Sequence, residues 1–537
     1  MRNRINFLNE IRAGFLISII ALPLCIGISM ASGFPAAAGI VTAIIGGLVA
    51  SRLGGSPLSI KGPAAGLIVI VLAGVLELGG GSALLGYTRM LTAIAVAAIF
   101  QIAFGALRLG SFSSLIPPSV VHGMLAGIGV IIFAKQTHVL LGVAPMAKAP
   151  MELIREIPHS IMNLNLAVAG IGFLALGVLV GFNYLPAWMS RKVPSQLVAM
   201  AIAVPLALYL DFSHAHNLIA AGTHVHVGPE YLVRLPASIL GSLSRPDWSA
   251  LVDLATWKYV LLLALIGSAE SLLTVQAVDS LDPMKRQSDV DADLIAVGVG
   301  NLIAGLCGGL PMISEIVRSR ANIDNGAETY WSNFFHGAFL AAGFFLIPGL
   351  LNSIPLTVLA AMLLVTGCRL ASPKEFVKVF KIGSDQFAIF VVTMVLTVCV
   401  DLLVGVIGGV VLKMLLHVAR GIRMRDFFSA DIQERTEGNK LTITVRGSAV
   451  FSNFLALQKS IKLAPLEVDR ILIDFSGAMF VDHTTLERLH GLKRSNGHRS
   501  IELIGLENFR RVSTHELATR RAGEFAGGSR IRPSVLA

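Results

Sequence analysis

Apolar run follows apolar run along this chain, each about as long as a bilayer is thick, with only short polar segments between them. Reading the runs between glycine, proline and charge breakers predicts spans near 12–31, 35–51, 63–76, 88–107, 119–141, 164–182, 195–211, 257–277, 290–307, 314–323, 332–350, 354–368, 386–400 and 402–420. A hydrophobic share of 54% with only 14% charged residues excludes a single soluble domain, because ordinary domains carry about a quarter charged residues. The runs are continuous instead of alternating, which selects helices over barrel strands. The chain is read as an α-helical polytopic membrane protein of about fourteen segments, roughly seven on each side of a polar stretch at 212–256. Met1-Arg2-Asn3-Arg4 before an apolar run mimics a secretory signal, but without a small-residue cleavage site it reads as the lead into a retained first helix.

The net charge of +10 sits in the short segments between spans, so it marks topology and not a nucleic-acid surface. Arg2, Arg4, Arg12, Arg52, Arg108, Arg191, Lys192, Lys285, Arg286, the stretch from Arg369 to Lys381, and Arg420, Arg423 and Arg425 fall on one side if the spans alternate. That side is predicted to be cytoplasmic, with both termini inside and the chain multi-pass in the cell's inner (plasma) membrane. Cys25, Cys307, Cys368 and Cys399 lie in or beside apolar segments without CxxC spacing and read as small buried hydrophobes. His214-Ala215-His216 and His224-Val225-His226 in the 212–256 stretch suggest zinc only weakly, since clustered carboxylate or cysteine partners are missing; no metal or cofactor is expected.

Two apolar runs are broken in the same way. Gly54-Gly55-Ser56-Pro57-Leu58-Ser59-Ile60-Lys61 and Gly308-Gly309-Leu310-Pro311-Met312-Ile313-Ser314-Glu315 share Gly-Gly-x-Pro followed, four residues after the proline, by a charge of opposite sign. The helical runs that follow are too short to cross a membrane alone, so they read as half-helices lining a cavity in a 7+7 inverted repeat. Their N-termini, facing each other, aim unpaired N–H groups and two positive dipole ends at one point, which suits an anion. The candidate donors lie at Pro63, Ala64 and Ala65, and at Ile313, Ser314 and Glu315, with Arg318 one turn into the second half-helix. Lys61 and Glu315 correspond in the repeat and are expected to pair, flanking the anion; the alternatives are direct contact of Lys61 with the anion, or separate partners for each. Arg318 reads either as an anion contact or as a structural partner for a core carboxylate. Glu270 lies inside an apolar span with Thr274 at i+4 on its face, and an intramembrane carboxylate is by default functional.

After Arg425 the composition turns soluble. Residues 440–451 alternate as a strand, Val468 to Phe475 reads as a buried strand, Asp482 to Leu492 as a helix and Ile501 to Ile504 as a further strand, which makes a small α/β domain. The expected division is a membrane domain at 1–425, with repeats at about 10–211 and 257–425 and 212–256 external, then an α/β domain at 430–522 and a disordered tail at 523–537.

These segments together resemble the SulP (solute carrier 26) anion transporters with a C-terminal STAS domain. The resemblance is carried by Gly267-Ser268-Ala269-Glu270-Ser271-Leu272-Leu273-Thr274, by the run Gly300 to Pro311, and by Asp474-Phe475-Ser476-Gly477 with Val481-Asp482-His483-Thr484-Thr485. It implies a UraA-like core and gate, each built from both repeats, substrate between the facing half-helices, movement of core against gate, and a homodimer. In bicarbonate-type bacterial members the carboxylate and hydroxyl matching Glu270 and Thr274 help to bind Na+, with carbonyls near Ser314; in others an acid here couples H+. Resemblance to anti-sigma factor antagonists makes Thr484 a regulatory site for phosphorylation or a cytoplasmic protein partner, though Asp482 and Thr484 also suit an ordinary helix cap. The implied function is secondary transport of a small anion, bicarbonate with Na+ first, proton-coupled sulfate or C4-dicarboxylate next. Carriers of uracil or xanthine share the fold but not the STAS domain, and a membrane-anchored STAS scaffold or sensor is the reading from another class. No nucleophile–base or metal-ligand constellation suggests an enzyme.

Overall fold

Every predicted apolar run is helical in the computed structural model, which describes residues 7–110, 117–147, 149–184, 194–220, 223–235, 244–465, 467–495 and 500–522. The tail expected at 523–537 lies outside the described residues. The first repeat comprises α1 (Phe7–Ala31), α2 (Ala36–Ile45, continued by a π turn at Gly46–Ala50), strand β1 (Ile60–Pro63), α3 (Ile68–Gly79), α4 (Ala83–Ala106), α5 (Pro118–Leu140), α6 (Pro150–Met162), α7 (Leu166–Gly181) and α8 (Ser195–Tyr209). The 212–256 stretch, expected as an extended loop, holds a hairpin of β2 (His216–Ala220) and β3 (Thr223–Val227).

The second repeat follows as α9 (Leu254–Leu262), a π turn at Leu263–Gly267, α10 (Ser268–Leu281), α11 (Val290–Leu306), β4 (Met312–Glu315), α12 (Ile316–Asp324), α13 (Trp331–Leu346), α14 (Leu356–Leu370), α15 (Pro373–Ile382), α16 (Ser384–Cys399) and α17 (Leu402–Ala419). Among the described residues, seven helical stretches are long and apolar enough to cross a membrane, eight if α6 and α7, bent by 114°, count as one. Helices α6 and α15 fall outside the spans predicted from the sequence; each starts at a proline, whose fixed φ suits a first helical turn.

Two compact units emerge, residues 1–113 with 125–371 and residues 114–124 with 372–537. In the first, helices approach closely where glycines meet: a Cβ on Gly47 would lie 2.5 Å from Gly337 Cα, so small residues set the crossing of α2's extension with α13. Expected burial of the cysteines holds for Cys25; Cys307 is half-buried and Cys368 and Cys399 are exposed on their helices.

The second unit contains α15 to α17 and the soluble domain. That domain adds β5 (Asp431–Glu437), β6 (Lys440–Ala449), α18 (Phe454–Lys462), β7 (Arg470–Asp474), β8 (Ala478–Val481), α19 (His483–Ser495), β9 (Ser500–Ile504), β10 (Phe509–Arg511) and β11 (Arg520–Ala522). Its sheet runs β10-β11-β8-β6-β7-β9, with β5 also on β6, and β6 pairs in parallel with both β7 and β8. Strand β6 alternates as predicted and β7, expected as a buried strand, alternates too, so Leu441, Ile443, Val445, Ile471 and Ile473 meet Phe454, Leu457, Leu486 and Leu489 from the helices in one core.

Candidate functional site

The two broken segments do more than lead into half-helices. They cross as a two-stranded antiparallel ribbon, β1 on β4, with Ile60 opposite Glu315, Lys61 opposite Ser314, Gly62 opposite Ile313 and Pro63 opposite Met312. A strand so deep in an apolar chain must satisfy its peptide groups inside the protein, and side chains of both repeats do it. Ile60 N–H donates to Ser319 Oγ (2.8 Å), Asn322 and Asn333 donate to the carbonyls of Leu58 and Ser59, and Thr42 donates to Leu310 O (3.0 Å). Asn301 holds Met312 from both ends, accepting from its N–H at 2.6 Å and donating to its carbonyl at 3.1 Å, and is itself oriented by Gln101.

The ribbon corrects the expected pairing of Lys61 with Glu315. Successive strand residues point to opposite faces, so Lys61 shares a face with its partner Ser314, while Glu315 shares the other with Ile60. On the first face Asp293 of α11 takes both: its Oδ1 lies 2.8 Å from Lys61 Nζ and its Oδ2 accepts from Ser314 Oγ at 3.1 Å. Lys61 and Asp293 are 0% and 1% exposed, so this is a fully buried ion pair. On the other face Glu315 is the N-cap of α12, accepting from Arg318 N–H, with Arg318 Nε 3.7 Å away.

Arg318 is buried, and its donors are engaged. Nη2 donates to Pro63 O at 2.7 Å, and Nη1 reaches Cys25 Sγ at 3.6 Å. A Cβ on Gly62 would lie 2.6 Å from Nη1, so glycine gives the guanidinium its room on β1. The guanidinium thus ties the lead of the first half-helix to the start of the second. Direct contact of Lys61 or Arg318 with a substrate requires one of these bonds to open.

Helix α10 touches both half-helices. Its Ser271 Oγ accepts from Ser314 N–H at 3.1 Å, and its Glu270 carboxylate lies against Gly66, just inside the short 3₁₀ turn Ala65–Leu67 that starts α3. The π turn immediately before Ser268 offsets the helical register, a device that re-aims side chains at functional sites. Thr274 lies one turn along on the same helix, buried. Glu270 Oε2 is buried with no hydrogen-bond partner among the described residues. Each half-helix N-terminus therefore has a carboxylate beside it, Glu270 at α3 and Glu315 at α12, the charge that a helix N-terminus attracts. Of the candidate residues, Pro63, Ala64, Ala65, Ile313, Ser314, Glu315 and Arg318 lie at the ribbon and the half-helix starts, as does Lys61, with Glu270 and Thr274 beside them on α10. Asp293, Asn301, Gln101, Ser319 and Asn333 were not expected there. Gly66→Ala is expected to lower transport about tenfold to a hundredfold by driving the Cβ into Glu270 Oε1, read as initial uptake rate in proteoliposomes at equal protein.

Elsewhere, the histidine pairs do not converge. His224 and His226 share the face of Asn217 and Ile219, and His216 lies on the opposite one; His226 pairs with Glu230 and His214 with Asp211. Among the described residues no group of three His, Cys, Asp or Glu could hold a metal.

Thr484, the candidate regulatory residue, is buried, and its Oγ1 accepts from Lys413 Nζ of α17. Asp482 caps α19 through Thr485 N–H (2.7 Å), accepts from Phe451 N–H (3.0 Å) and lies 3.1 Å from Lys413 Nζ. Burial alone would raise the Asp482 carboxyl, but the charges of Lys413 and His417 and the bonds from Thr485 outweigh it and hold the group down to about 2. A carboxyl lowered from its ordinary 3.8 adds stability in full above that pH and loses it as pH falls through about 2. Protection of the α19 N-terminus against hydrogen exchange is accordingly expected to be unchanged from pH 7 to 5 and to weaken only below about 4.

Comparisons with known proteins agree with this architecture. The chain is 27% identical over 448 residues to a bicarbonate transporter, BicA, of Picosynechococcus sp., covering 82% of this chain and 76% of the relative. It is 25% identical over 520 residues to a putative sulfate transporter, YvdB, of Bacillus subtilis, covering 94% of this chain and 92% of that one. Among solved structures, the transmembrane domain of a cyanobacterial BicA superposes with a TM-score of 0.62 at 25% identity, over 76% of this chain and 98% of that one. SLC26A9 superposes with a TM-score of 0.65 at 15% identity, over 93% and 84%, which shows the shared fold including the region of the C-terminal sheet. Residues 7–393 match the model of the sulfate permease family, and the chain belongs to that family of membrane transporters.

Proposed function

We propose that the protein is a cation-coupled secondary transporter of a small anion, with bicarbonate the first candidate and Na+ the coupling ion. The observation that carries this reading is Glu270: a carboxylate whose buried Oε2 has no hydrogen-bond partner among the described residues, seated against the N-terminus of α3. An anion drawn to the same helix end meets that negative charge, and a bound cation or proton at Glu270 removes the conflict. Coupling is then a consequence of electrostatics, since each ion improves the seat of the other. Thr274 supplies a hydroxyl on the same helix, and together with Glu270 and carbonyls near Ser314 makes the all-oxygen environment that hard cations prefer. The similarity to a bicarbonate transporter supports bicarbonate, and the similarity to a putative sulfate transporter over nearly the whole chain supports sulfate as the second reading. The same proposal places the chain in the inner membrane with both termini in the cytoplasm, on the strength of the Lys and Arg distribution, and as a homodimer, on the strength of the family resemblance.

The test is uptake of labelled bicarbonate, sulfate and fumarate into proteoliposomes, each with and without a Na+ gradient and with and without a proton gradient. Bicarbonate uptake is expected to rise about tenfold or more with inward Na+ and to lose that dependence in Glu270→Gln. Sulfate or fumarate uptake driven by protons would replace the reading, and Na+ dependence surviving in Glu270→Gln would remove Glu270 from the coupling site.

A further inference from the structure

A buried ammonium on a membrane helix needs a reason, and Lys413 has one outside the transport site. It lies in the fourth turn of α17, four residues after Gly409 and eight after Gly405, fully buried, and its polar contacts among the described residues are with the soluble domain: Asp482, at 3.1 Å, and Thr484 Oγ1. Its Nζ also stands 4.7 Å from the Phe451 ring centroid, a cation–π contact. Around it, Ile422, Phe427, Val450, Phe451 and Phe480 form a separate apolar cluster against Val410 and Met414 of α17. The cluster joins the last membrane helix, the linker and two strand ends of the domain, apart from the domain's own core.

Other struts join the same parts. Asp385, at the start of α16, accepts from Arg420 at 2.8 Å and lies 3.4 Å from Thr519 Oγ1 of the domain, and Ser513 of the domain donates to Ile382 O at the end of α15. Gln386 accepts from Ser119 at the start of α5. The charges are matched: Asp482 already holds two backbone N–H groups, and Lys413 supplies its counter-charge. Such a pair, once buried, is costly to open from one side only, because either partner alone is a buried charge.

We propose that Lys413 is a charge latch that fixes the C-terminal domain to α17, so that the domain is a docked part of the last helices and not a lobe swinging on a linker. The surface around Asp482 and Thr484 is then occupied by the chain's own membrane helix, and a cytoplasmic protein binding there has to displace Lys413. Thr484 is unavailable to any modifying enzyme in the docked arrangement.

Hydrogen exchange read by mass spectrometry on the full chain in lipid nanodiscs tests this. Lys413→Met keeps the apolar stem and removes the charge. Exchange at 482–487, the first turn of α19, is expected to speed up about tenfold or more, with β7 in the domain core unchanged. In Lys413→Met/Asp482→Asn neither member of the pair is left charged and Asn still caps the helix, so protection at 482–487 is expected to recover most of the way. Unchanged exchange in Lys413→Met overturns the latch. Equal acceleration in β7 overturns it too, by making Lys413 part of the domain's own fold, as does a double variant no better protected than the single one.

Discussion

Lys61→Met is expected to destabilise the folded protein by about 3–5 kcal/mol, because it leaves Asp293 charged and buried with only Ser314 to bond it. Asp293→Leu is expected to do comparable harm from the other side, stranding Lys61. The double variant should recover most of the loss, since an apolar pair of similar volume asks for no solvation. Thermal midpoints of the four purified proteins in detergent, read by tryptophan fluorescence, form a double-mutant cycle whose coupling term decides the matter. Additive losses would mean that the pair is not an energetic unit. Lys61→Met combined with Glu315→Gln provides the contrast: residues on opposite ribbon faces should couple far more weakly.

Arg318→Lys is the second large effect. The positive charge survives but the planar fork does not, so the bond to Pro63 O and the reach toward Cys25 cannot both be kept. A hydrogen bond from a charged donor to a buried acceptor is worth about 1.5–3 kcal/mol, and that much is expected to be lost from the ribbon. Uptake kinetics separate a strut from a substrate contact. If Arg318 holds the ribbon, the maximal rate falls about tenfold to a hundredfold with KM for the anion little changed. A raised KM with an intact maximal rate would make it a ligand of the anion.

Helix positions were legible because hydrocarbon leaves so few choices: each apolar run long enough to cross had to satisfy its own backbone, and each is helical. The repeat was legible too, through the shared Gly-Gly-x-Pro and the charges after it. The partners were not. Four-residue strands inside apolar runs look like the first turn of the helices they precede, and without the strand the two faces of Lys61 and Ser314 cannot be told from that of Glu315. Asp293 belongs to Asp289-Val290-Asp291-Ala292-Asp293, where acids are explained by the start of a helix, and Asp289 does cap α11. Nothing local distinguishes Asp293 from its neighbours until the ribbon brings Lys61 to it. Nothing in the sequence around Lys413 points to its partner for the same reason: Asp482 is some seventy positions away, at the cap of a soluble helix. Glu270 was legible because a charge within an apolar span stands out without any partner.

The crossing of β1 with β4 also sets a clock on biosynthesis. Ile60–Pro63 leaves the ribosome about 250 residues before the strand that completes it, an interval on the order of ten to fifty seconds at ordinary rates of synthesis. Throughout that wait the N–H and C=O groups of β1 lack Met312–Glu315, and Lys61 lacks Asp293, at a depth where lipid offers neither substitute. The first repeat therefore has no finished fold of its own to wait in. Its buried peptide groups and Lys61 find their partners only when the second repeat arrives, so the two repeats complete their folds together.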